Sequence, residues 1–165
     1  MKLYHFTSAR NLYGIGLYGL TVGDVPTDIK RERGRIGVWL TANDAPDGHG
    51  LDGGAADKSR FRLTVNVPEH PLLVPWVDWA THNATPETVR ALHATATSFA
   101  TWYIYFGVVP RAQIEECVDM QSGLVVEDWG AKRSEQDMEP VPPWRRHAWH
   151  KKLLKAVRRE LTLGR

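Results

Sequence analysis

Cysteine is almost absent: Cys117 is the only one in 165 residues. No intramolecular disulfide can form, so the fold must rest on its core, and the chain suits a reducing compartment. Cys117 follows Ile114 and precedes Val118 in an apolar pattern, so it reads as a buried small hydrophobe rather than a nucleophile. There is no apolar run of the roughly 18 residues that a membrane helix needs, and no charged-then-apolar leader. The expectation is a cytoplasmic protein with no membrane partner. Residues 42–57, ANDAPDGHGLDGGAAD, are rich in Gly and Asp and read as a mobile loop. They lack the spaced acids and closing Glu of an EF-hand, so no metal is expected there. No internal repeat is visible.

What is present is ordinary in bulk and uneven in detail. Apolar residues make up 42% and charged residues 24%, as in most globular domains. Seven Trp is a high count, and Trp serves both cores and sites because it couples a large face to one N–H. The net charge of +2 hides a division. Residues 144–165 hold eight Lys/Arg against one acid, which leaves −5 for residues 1–143. A mildly acidic body with a basic tail is the pattern of an interaction tail.

Along the chain, residues 2–7 alternate as a strand, and Ser8 is placed to cap a short helix over about 9–18. Residues 23–35 are charged and broken by Gly23, Pro26 and Gly34, and read as a loop. Further strands are expected at 36–41, 60–67, 101–109 and 116–120, with a short one at 124–126. Thr85-Pro86-Glu87 opens a helix to about Thr97, and Pro110–Ile114 is a helical turn. Strands broken by two helices predict an α+β domain over 1–129. A Pro-rich, charged linker is expected at 130–143 and a basic helix at 144–165. In that helix Trp149, Leu153, Leu154, Val157 and Leu161 fall at helical spacing, with Lys/Arg on the other face. Such a face can be solvated, can meet nucleic-acid phosphates, or, third, can lie on a membrane surface.

The stretch YHFTSARNLYGIGLYGL resembles the start of the ADP-ribosyltransferase superfamily, where the first strand carries a His and a nearby Thr or Ser ahead of a helix ending in Gly-Leu. GVWLTAND resembles the family's second-motif strand, and RFRLTVNV the strand after it. WYIYFGVVPRAQIEEC resembles the late strand and turn of DNA-targeting ADP-ribosyltransferase toxins, and is similar also to RNA 2′-phosphotransferases. The resemblance covers residues 2–120 in order. It implies a split mixed β-sheet core with a few short helices, NAD as cofactor, and transfer of ADP-ribose to a nucleic acid or protein, in the manner of a toxin, effector or phage-encoded modifier.

Carried over by position, His5 would hydrogen-bond a ribose hydroxyl, Trp39 would border the nicotinamide, and Thr7 and Thr41 would supply nearby hydroxyls. A neutral imidazole both donates and accepts, and a Trp face suits a cationic pyridinium. The sequence departs from the usual family on the late strand. The catalytic Glu would fall near Trp102, where the chain reads Thr-Trp-Tyr-Ile-Tyr. Two substitutes present themselves. Glu116, or its neighbour Glu115, could reach the site after the turn. Alternatively arginines could bind phosphates through the guanidinium fork, as in the 2′-phosphotransferases, with Arg60 and Arg62 first and Arg10 and Arg35 behind them. Two other functions stay open: a non-catalytic nucleotide or nucleic-acid binding module, and a 2′-phosphotransferase-like enzyme.

Overall fold

The computed structural model of the chain describes residues 1–51 and 56–163. Seven strands form one sheet: β1 (Lys2–Thr7), β4 (Val38–Thr41), β5 (Phe61–Asn66), β6 (Leu73–Pro75), β7 (Trp102–Tyr105), β8 (Ile114–Asp119) and β9 (Leu124–Val125). Their order is β6-β7-β4-β1-β5-β8-β9. β2 (Asp24–Asp28) and β3 (Arg33–Ile36) form a separate antiparallel ribbon, in place of the expected loop. Among the described residues there are four α-helices, α1 (Ala9–Tyr18), α2 (Trp76–Asn83), α3 (Pro86–Ala94) and α4 (Arg146–Leu163), and three short 3-10 turns. The protein is therefore α+β with a C-terminal helix, as the strand and helix pattern predicts.

The expected split mixed sheet needs correction on one point and refinement on another. Every ladder described is antiparallel, so the sheet is not mixed. It is continuous, but its two halves meet weakly. β1 pairs with β5 along its whole length, whereas β1 and β4 share the single pair Tyr4↔Thr41. Beyond Tyr4, residues 5–7 lie opposite 38–40 without ladder pairing. A side chain takes the place of the next backbone bond: His5 Nδ1 lies 2.8 Å from the Trp39 carbonyl oxygen. A carbonyl that would otherwise be orphaned between two strands is satisfied by the imidazole.

The two faces of the sheet carry two cores. Alternation puts Leu3, Leu40, Leu63 and Val65 on one face, all buried, against α1 through Leu12 and Ile15. The opposite face carries Trp39, Trp102 and Ile104, which pack with Trp76, Ala80 and Val25. Thr85 caps α3 by accepting from the Thr88 amide, and Pro86 follows, as expected. Ser8 differs: its backbone is extended, but its side chain makes no cap bond, so it starts α1 by conformation alone. Cys117 is 1% exposed, and burial pushes its thiol up to about 11, as befits a packed side chain.

The segment 130–143 is bound along the body rather than hanging as a linker. Met138 N–H donates to the Arg10 carbonyl, Arg10 Nε donates to the Gln136 carbonyl, and Thr21 Oγ1 donates to the Val141 carbonyl. α4 is tied down next: Arg146 Nε donates to the Thr21 carbonyl, and Arg158 pairs with Glu32 at 2.6 Å. Trp149, Leu153 and Leu154 are half-buried and Val157 is exposed, while Lys151, Lys152, Lys155 and Arg159 face solvent. The Leu161 side chain lies outside the described residues, as do residues 164 and 165. No helix among the described residues is long and apolar enough to cross a membrane.

At the β5–β8 end, Arg60 holds Asp119 through two bonds of 2.7 and 2.9 Å. The guanidinium lowers the Asp119 carboxyl to about 2. Folding therefore favours the ionised form. The contribution is complete above the ordinary carboxylate range and is lost as pH falls toward 2. Asp119→Asn is expected to lower the melting temperature slightly at pH 7 and to make no difference near pH 2. Thermal unfolding at both pH values measures this.

Candidate functional site

The gap between β1 and β4 opens into a cleft of about 600 Å³. Its floor is Tyr4–Thr7 on one side and Trp39–Thr41 on the other. One wall comes from α1, residues 19–24, the strap residues Met138–Val141, and Trp149 of α4. The other comes from His49–Leu51, Lys58, Trp102 and the end of α3. The chain builds this site from its weakest ladder, because paired strands would have closed it.

His5 sits at the parting point. A carbonyl only accepts, so Nδ1 carries the proton toward Trp39 and the neutral ring keeps a lone pair on Nε2. Among the described residues no hydrogen bond reaches that nitrogen. Burial holds the imidazole below its usual range, against a smaller raising effect of the Trp39 carbonyl. At neutral pH His5 is therefore an acceptor within the cleft.

Trp39 is tied at both ends. Its carbonyl accepts from His5 Nδ1–H, and its indole Nε1–H donates to the Asp24 carbonyl at 2.8 Å. Its ring packs on Trp76 at 5.0 Å and edge-on to Trp102 at 5.5 Å. It is half-buried, leaving part of the ring at the cleft. The hydroxyls of Thr7 and Thr41 are already engaged. Thr7 Oγ1 accepts from Asn11 Nδ2 at 3.2 Å. Thr41 Oγ1 pairs with Thr101 Oγ1 at 2.9 Å and accepts from the Asn43 amide at 3.1 Å. Both Thr residues line the cleft but are nearly closed to solvent.

Four of the residues expected in the site thus meet in one cleft: His5, Thr7, Trp39 and Thr41. Three do not line it. Arg60 is committed to Asp119. Arg62 donates to the Asp44 carbonyl at 2.9 Å and stacks 5.2 Å from the Tyr4 ring. Glu116 lies on β8 opposite Thr64, beyond β5 from the cleft. The reserve arginines are also engaged, Arg10 with Gln136 and Arg35 over the Phe106 ring at 4.3 Å.

The cleft also contains groups that no sequence motif marks. His49 accepts from Trp102 Nε1 at 2.9 Å through Nδ1, so its Nε2 proton goes to the Ala45 carbonyl at 2.9 Å. Burial lowers its pKa, so it too is neutral, and its ring stacks on Phe6 at 5.6 Å. Lys58 brings a positive charge to the loop wall, while Asp24 and Glu139 bring negative charge to the strap wall. These residues lie in stretches with no periodicity, and only the folded chain brings them together. Among the described residues no cluster of His, Cys, Asp or Glu could hold a metal ion.

Compared with protein-family models, with curated proteins and with solved structures, the chain matches none of them. The reading of the cleft therefore rests on its own chemistry.

Proposed function

We propose that the cleft binds NAD, and that the protein is an ADP-ribosyltransferase-like enzyme. One observation carries the reading: His5, whose Nε2 no hydrogen bond among the described residues reaches, and Trp39, whose side chain starts from the opposite face of the sheet, both line the cleft at the β1–β4 gap. A ribose hydroxyl matches the first group and a cationic pyridinium the second. The charge layout supports the same ligand. A dinucleotide has an anionic pyrophosphate and a cationic ring, and the cleft lining includes one cation, Lys58, and two acids, Asp24 and Glu139. A volume of about 600 Å³ suits a ligand of that size.

Titration of the protein with NAD in a calorimeter tests this. His5→Ala is expected to weaken binding by about 1–3 kcal/mol, the scale of an unpaired buried polar group. Unchanged affinity would remove His5 from the site. The pH dependence follows from the lowered imidazole pKa. The neutral ring accepts and the protonated ring does not, so affinity is expected to hold from pH 8 to the ordinary His range and to fall below it.

The second reading is a binding module without turnover. It is favoured by β7, which offers Trp102, Tyr103, Ile104 and Tyr105 but no carboxylate. Release of nicotinamide from NAD separates the two readings. The phosphotransferase-like reading needed arginines in the cleft, and Arg60 and Arg62 are engaged elsewhere. The acceptor, nucleic acid or protein, would approach past α4, whose exposed cations suit a phosphate backbone.

A further inference from the structure

The carboxylate missing from β7 has a counterpart on another element. Asp24 opens β2 and lines the cleft. Its Oδ1 accepts from His150 Nε2 of α4 at 2.7 Å. Among the described residues no hydrogen bond reaches its Oδ2, and the side chain is 29% exposed. His150 is 9% exposed, and this is the hydrogen bond its ring makes. Trp39 fixes the backbone of the same residue through the indole bond to the Asp24 carbonyl. One tryptophan is therefore bonded to His5 through its carbonyl and to Asp24 through its ring nitrogen. The other acid of the cleft, Glu139, is 85% exposed and paired with Arg133, so it is the weaker source of a directed charge.

We propose that Asp24, positioned by His150, forms with Trp39 the subsite for the positively charged ring of the ligand, and so selects an oxidised nicotinamide dinucleotide over its reduced form. This rests on the NAD reading of the cleft. The physical argument is charge at close quarters. A pyridinium against the Trp39 face meets the ring quadrupole. The carboxylate of Asp24, the residue whose backbone carbonyl takes the Trp39 indole bond, brings negative charge to the same cleft, where partial burial weakens screening. The dihydropyridine ring of the reduced form is neutral and gains from neither. His150 keeps the carboxylate from turning to solvent, which is a positioning role. It also makes α4 part of the site rather than an appended tail.

Calorimetry with the oxidised and the reduced dinucleotide, on the full chain, tests the proposal. The unaltered protein is expected to bind the oxidised form at least about tenfold more tightly, the scale of one close charge pair. Asp24→Asn keeps the shape and an acceptor for His150 but loses the charge. It is expected to lower oxidised-form affinity about tenfold and to leave reduced-form affinity unchanged. Asp24→Glu, which keeps the charge, is expected to keep the preference, and His150→Gln to reduce it in part. Equal binding of both forms by the unaltered protein would overturn the subsite. So would equal weakening of both forms in Asp24→Asn, since that marks a structural role. If neither form binds, it is the NAD reading that fails, and the subsite with it.

Discussion

Trp76→Ala is expected to destabilise the protein by about 3–5 kcal/mol, the range for emptying a large buried aromatic site. Trp76 is 0% exposed and is the first residue of α2. It joins the second core to the cleft, because its ring lies 5.0 Å from Trp39 and 6.0 Å from Trp79. Its Nε1–H donates to His93 Nε2 at 3.0 Å, and His93 stacks on Phe99 at 3.7 Å. Removing the indole leaves both a void and an unpaired acceptor. Trp76→Phe separates the two effects: it keeps most of the packing, and about 1–3 kcal/mol of its cost would come from the lost bond. Urea unfolding with an unchanged m-value is the measurement. NAD affinity should fall with Trp76→Ala even where the protein is fully folded, because Trp39 loses the surface that sets its tilt. A loss below about 1 kcal/mol would mean that the second core is not what supports Trp39.

The strands were legible because their signal is local. Lys2–Thr7 and Phe61–Asn66 alternate cleanly, and each forms where the alternation says. The ribbon of β2 and β3 was not legible. Asp24–Asp28 contains Pro26, and Arg33–Ile36 contains Gly34, both read as breakers. Here Pro26 pairs with Gly34 next to an irregularity in the ribbon, where a missing donor is tolerated. The course of residues 130–143 was not legible either. Proline and charge at 130–143 describe a chain without helix or strand, not a chain without partners, and its bonds are long-range. His5 and Trp39 were expected from motif order, and the fold lines one cleft with both. Asp24 was not expected there, because what holds its carboxylate is His150, 126 residues away. Arg60 and Arg62 were chosen for their chemistry, which Asp119 and the Asp44 carbonyl use for structure instead.

Gly19→Ala is expected to cost about 2–5 kcal/mol and to abolish NAD binding at ordinary concentrations. Gly19 ends α1, and its N–H donates to the Ile15 carbonyl at 2.8 Å. Its backbone lies at φ 78 and ψ −161, a region that side chains with a Cβ scarcely enter, at a cost of about 1–3 kcal/mol. Asn, which tolerates ordinary left-handed turns, would not rescue this conformation. Space is the second obstacle. A Cβ would fall on the Val109 carbonyl oxygen and 2.9 Å from the Arg111 amide nitrogen. These are backbone atoms, so relief requires moving the chain, which adds about 1–3 kcal/mol. The chain that moves is the cleft wall. Leu20 and Val109 exchange two backbone bonds of 2.9 and 3.0 Å, and that bridge starts the run from Leu20 to Asp24. Pushing Leu20 off Val109 displaces Thr21 from Val141 and Asp24 from His150, so strap, helix and carboxylate are disturbed together. Denaturant unfolding gives the stability loss, and calorimetry with NAD on the folded fraction gives the binding loss. A stability loss below 1 kcal/mol with NAD affinity intact would show that the Leu20–Val109 bridge does not hold this wall in place.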